Sequence, residues 1–138
     1  MRRLAAILGL AALAACTTDI DQSTRPDNLA GTYHLASLGG NALPAPITID
    51  TFPARLVSGE LVLTANGTWT ETLAISTVSP TGVKQVVQLP AGGTWLILRD
   101  YAYIAFTDKV NAYSFSGVAA GNTVVLRSSE GQDMVYKR

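Results

Sequence analysis

The chain has 138 residues, 48% of them hydrophobic, and its ten basic residues balance ten acidic ones. That length suits one compact domain, and the neutral balance gives no reason to expect nucleic acid as a partner. Only 14% of the residues are charged, and segments rich in Gly, Thr, Ser and Val point to an all-β protein.

Met1-Arg2-Arg3 is a short basic start, and residues 4–13 form an apolar run too short to cross a bilayer as a mature helix. Residues 1–15 read as a secretory signal. Leu13-Ala14-Ala15-Cys16 resembles a bacterial lipobox, in which small residues precede a cysteine. The resemblance implies cleavage before Cys16, lipidation of its sulfur and acylation of the new amino terminus. The alternative is an ordinary signal whose cut leaves a free thiol. Cys16 is the only cysteine, so no internal disulfide can form. Several acyl chains would hold the protein on a membrane where one binds only marginally. Thr17 rather than Asp follows the cysteine; by the same resemblance this points to the outer membrane of a bacterial envelope, facing the periplasm. Loss of residues 1–15 removes Arg2 and Arg3 and leaves eight basic residues against ten acidic ones, a formal net charge of −2.

Residues 16–28 follow as a lipidated tether. "TTDIDQSTRPDN" is polar and turn-rich, with no apolar period, and reads as flexible. Residues 29–138 form the domain. "LAGTYHLASL" is its first strand, with Gly31, Tyr33 and Leu35 on one face and His34 and Ala36 on the other. Residues 38–58 carry Pro44, Pro46 and Pro53 and read as a long loop, with a short edge strand near residues 47–49. "GELVLTANGTWTETLAIST" is the strongest local signal. Two β-prone runs flank Asn66-Gly67, which suits the two positive φ angles of a type I′ turn. Leu61 and Leu63 share a face on one arm; Trp69, Leu73 and Ile75 share one on the other. Further strands are expected at "VKQVVQL", "TWLIL", "YAYIAF", "NAYSFSGVAA", "TVVLRS" and "DMVYK". Their turns fall at Ser79-Pro80-Thr81-Gly82, Pro90-Ala91-Gly92-Gly93, Arg99-Asp100, Gly121-Asn122 (type II′ or I′) and Glu130-Gly131.

That makes eight or nine short strands joined by tight turns and no convincing helix. The expected architecture is an all-β antiparallel meander closing into an up-and-down barrel of about eight strands. Such a barrel is either filled by side chains or holds one small ligand. "LAGTYHLASLGGNALP", "SGELVLTANGTWTETL", "GTW" and "FSGVAAGNTVVLRSSEGQDMVYKR" together resemble the bacterial lipocalin-like lipoproteins. The resemblance covers residues 29–138, and much of it is hairpin grammar rather than site chemistry. Tyr33 stands where true lipocalins carry Trp in a Gly-x-Trp start, and no C-terminal helix is evident. The resemblance implies a lipocalin-like barrel that binds a small hydrophobic ligand without catalysis.

The residues themselves offer little chemistry. His34 is the only histidine, so one chain cannot build a histidine metal site. A lipidated Cys16 leaves no thiolate, and no nucleophile elbow or phosphate loop is present. Glu60 and Glu71 lie on opposite arms of the Asn-Gly hairpin and read as solvated exterior charges. No enzymatic activity, cofactor or metal is expected. The aromatics are more suggestive. Tyr33, Trp69, Trp95, Tyr103, Tyr113 and Phe115 lie in strands and are the candidates to line a small apolar-ligand site; filling of the barrel is the plainer reading of them. A second functional reading makes the protein an interaction or hydrolase-inhibitor module of the envelope. An exposed patch of Ile104 and Phe106 on the outer face would favour that reading.

Overall fold

The structure, a computed structural model, describes residues 29–98, 103–110 and 114–138. Its strands are β1 (Gly31–Leu38), β2 (Asn41–Ala42), β3 (Ala45–Ile49), β4 (Phe52–Leu63), β5 (Thr68–Val78), β6 (Lys84–Leu98), β7 (Tyr103–Asp108), β8 (Ser114–Ala120), β9 (Thr123–Arg127) and β10 (Asp133–Lys137). The described residues contain no helix. Consecutive strands from β4 to β10 pair antiparallel, β10 pairs with β1, and β1 pairs with β4. The result is a closed up-and-down barrel of β1 and β4 to β10. Cys16, with the signal and tether segments at 1–15 and 16–28, lies outside the described residues.

Side chains alternate across the wall with period two. Tyr33, Leu61, Leu63, Trp69, Trp95, Ile104, Phe106, Val124 and Tyr136 are almost wholly buried inside. The core therefore sits along the barrel axis. The 64–68 and 121–122 turns and the C-terminus mark one end. The 79–83 and 128–132 turns and the β3–β4 hairpin mark the other, called here the mouth.

The segment 38–58 is not a loop. Leu43-Pro44 is a cis peptide, β3 follows it, and β4 already starts at Phe52. Pro46 is accommodated because β3 pairs only with β4 and has a free edge. Pro90-Ala91-Gly92-Gly93 is not a turn either. It lies inside the continuous strand β6, with Pro90 opposite Thr72 and Gly93 opposite both Trp69 and Asp108. A Cβ on Gly93 would stand 1.8 Å from the Thr107 carbonyl oxygen. Glycine serves close strand approach there rather than a reversal.

The 64–68 turn also departs from type I′. Asn66 does not adopt positive φ, whereas Gly67 does, at 87°. Gly67 N–H donates to Thr64 O, and Thr64 N–H donates to Thr68 O. This is a three-residue hairpin closed by glycine in the left-handed region. It sets Leu61 opposite Glu71 and Glu60 opposite Thr72. The same bonds recur in Ser79 to Val83 and Ser128 to Gln132. In each copy the first residue's hydroxyl accepts from the last residue's N–H, at 3.0–3.1 Å. At 121–122 only Gly121 has positive φ, which selects the type II′ alternative.

Candidate functional site

The predicted aromatics divide. Trp69, Phe106 and Phe115 pack in the barrel, with Trp69 edge-on to both phenyl rings at 5.7 and 5.5 Å and the phenyl rings stacked at 5.0 Å. Such geometries suit the ring quadrupole. Trp69 Nε1–H donates to Thr107 O at 3.3 Å, and Trp95 Nε1–H donates to Thr64 O at 3.1 Å. The Tyr33 hydroxyl donates to Leu29 O at 2.8 Å. Its burial raises the phenol pKa, and Arg138, lying over the ring at 5.4 Å, opposes that rise. These polar handles are thus satisfied by the protein, and Tyr33, Trp69, Trp95 and Phe115 knit the barrel interior.

Tyr103 is on the outer face, 55% exposed, while Ile104 and Phe106 are fully buried. Tyr103 therefore does not line the interior, and Ile104 and Phe106 form no exposed patch to favour docking. The cross-strand partners of Ile104 and Phe106 decide it: they face Ile97, Trp95, Gly117 and Phe115. Tyr113 lies outside the described residues. His34 is exposed beside Glu60, 3.9 Å from its carboxylate.

Glu71, expected as a solvated exterior charge, is on the inner side of the wall, although it lines neither hollow at the mouth. It stands between Trp69 and Leu73 on the inner face of β5 and accepts a hydrogen bond from the Tyr136 hydroxyl. Burial raises the Glu71 pKa, partly opposed by that hydrogen bond. Burial, and then the neighbouring carboxylate, raise the Tyr136 pKa. The signal was present in the sequence: a residue two positions from Trp69 and two from Leu73 must share their face.

The mouth of the barrel holds open space. A small depression of about 180 Å³ is walled by Leu38, Ile47, Leu56, Leu73, Ile75 and Met134, with the 128–132 turn at its side. It shares Ile47, Thr48, Glu130 and Gln132 with a larger open cleft of about 720 Å³. Pro46, Phe52, Pro53, Ala54 and Val78 give that cleft apolar walls; Arg55, Lys84 and Glu130 are its charged groups. The cleft takes in both faces of the β3–β4 hairpin, because β3 is a free edge. None of Tyr33, Trp69, Trp95, Tyr103 or Phe115 lines it. The interior is thus packed on the side of the 64–68 turn and open at the mouth. The described residues contain no cluster of three or more His, Cys, Asp or Glu that could hold a metal.

No family model and no curated protein matches this chain.

Proposed function

We propose that the protein is a lipid-anchored envelope lipoprotein whose lipocalin-like barrel binds a small hydrophobic molecule at its mouth, without catalysis. The observation that carries this reading is the apolar depression on the barrel axis, opening into the larger cleft. Ligand sites are concave and mostly apolar, typically ~300–1,000 Å³, and the cleft falls in that range. Its ligand-lining residues are those of the mouth, Leu56, Leu73 and Ile75 foremost. The lipobox-like run ending at Cys16 supports the anchor, and the membrane is then the nearest source of a hydrophobic ligand.

Two experiments test the two halves. Cells fed labelled palmitate should incorporate label into the wild-type chain and none into Cys16→Ala; equal labelling of both refutes the anchor. The soluble chain lacking residues 1–15, with Cys16→Ser, should take up the uncharged probe N-phenyl-1-naphthylamine. Ile75→Trp, which fills the depression, should lose that uptake. Uptake indifferent to Ile75→Trp removes the mouth as the site.

A further inference from the structure

The charges of the cleft are unequal, and among the described residues none of them is in an ion pair. Arg55 on β4 and Lys84 on β6 line it together, and Glu130, on the 128–132 turn, is the one acidic residue in its wall among the described residues. The ion pairs of the described residues are His34 with Glu60 and Arg127 with Asp133. Neither cation takes part in them. Arg55 donates through Nη1 to Pro44 O at 3.3 Å, an uncharged partner. Two cations thus border a largely apolar cleft, with no carboxylate among the described residues bound to either.

A cation at the edge of an apolar hollow suits a ligand with one charged end. The guanidinium offers a planar fork for a carboxylate or phosphate, and the ammonium a compact point charge. The depression behind is walled by hydrocarbon from Leu38, Ile47, Leu56, Leu73, Ile75 and Met134, with the polar residues Thr48, Ser128, Ser129, Glu130 and Gln132 on its turn side. The Glu130 carboxylate there repels an acidic head and leaves Arg55 and Lys84 as its partners. A charged head cannot enter there without losing its hydration. The two halves of the site therefore sort the two halves of an amphiphile.

We infer that the ligand is a single-chain anionic amphiphile, its chain in the mouth depression and its acidic head held by Arg55 and Lys84. This rests on the proposed binding at the mouth and adds the chemistry of the head.

The test uses the soluble chain lacking residues 1–15, Cys16→Ser; every strand of the barrel lies within 29–138. The fluorescent polyene cis-parinaric acid is titrated beside its methyl ester, which has the same chain and no charge. Two exposed ion pairs should favour the acid by about tenfold, and added salt should shrink the advantage. Arg55→Gln with Lys84→Gln should bring the acid to the affinity of the ester and leave the ester unchanged. Equal binding of acid and ester to the wild type overturns the charged-head inference while the mouth site stands. An acid preference that survives the double substitution overturns it too. Displacement of the acid by inorganic phosphate alone would mark a plain anion site and overturn the amphiphile. Failure of both probes to bind overturns the mouth site and this inference with it.

Discussion

Replacing Glu71 by Gln should stabilise the barrel at neutral pH. The carboxyl is enclosed between Trp69, Leu73 and Leu61 and takes one hydrogen bond, from Tyr136. Glutamine keeps an oxygen to accept that bond and removes the ionisable group. Burial of a polar group without full compensation costs about 1–3 kcal/mol by mutational measures, and the retained bond and partial exposure of Glu71 place the gain near the low end, about 1 kcal/mol. For a domain of this size that is a rise in Tm of about 5 °C. The pH dependence carries a definite sign. The folded pKa is raised, so the folded state binds the Glu71 proton more tightly than the unfolded chain does. The wild type therefore gains stability as pH falls through the folded pKa toward the ordinary glutamate value. The advantage of Glu71→Gln should be largest above the folded pKa and fade below the unfolded one. Urea unfolding of both proteins, at pH 8 and again at pH 4, measures it. A Gln variant less stable than wild type at pH 8, or a difference that does not shrink at pH 4, would refute the reasoning.

The other predictions are simpler. Tyr136→Phe should cost about 1–3 kcal/mol in the wild type, because the inward-facing Glu71 carboxyl loses its donor, and its cost beside Glu71→Gln should differ; a double-mutant cycle reads the coupling. Gly93→Ala should cost about 3 kcal/mol, since its Cβ meets the Thr107 carbonyl and forces β6 from β7; urea midpoints measure it. Phe106→Ala, removing a ring stacked between partners in a fully buried site, should cost about 3–5 kcal/mol in the same assay. Tyr103→Ser, on the outer face, should change stability by less than about 0.5 kcal/mol and leave probe uptake untouched.

The barrel itself was legible because alternation and turn chemistry are local. Tyr33 and Leu35 against His34, and Gly67, Gly82, Gly121 and Gly131 at the turns, mark strand faces and hairpins without knowledge of partners. Pro90 to Gly93 misled for a tertiary reason. The same residues make turns or permit close strand contact, and only the Thr107 carbonyl beside Gly93 decides between them. The three prolines of 44–53 misled likewise, because the free edge of β3 is not written locally. Glu71 was hidden by its charge: alternation assigned it to the interior, whereas polarity suggested the surface. The mouth was the least legible feature. Leu38, Leu56, Ile75 and Met134 are distant in sequence and meet only once the barrel closes. The aromatics drew attention to the interior they fill, away from the aliphatic end that stays open.

Native mass spectrometry tests the central claim most directly. The chain with residues 1–15 replaced by an ordinary cleavable export signal, and with Cys16→Ser, would be exported to a bacterial envelope, purified without detergent, and compared with its Ile75→Trp form. One bound molecule of small, lipid-like mass on the first protein, absent from the second, is the predicted result. A clean unliganded mass for both proteins, with no uptake of hydrophobic probe by either, would contradict a binding barrel.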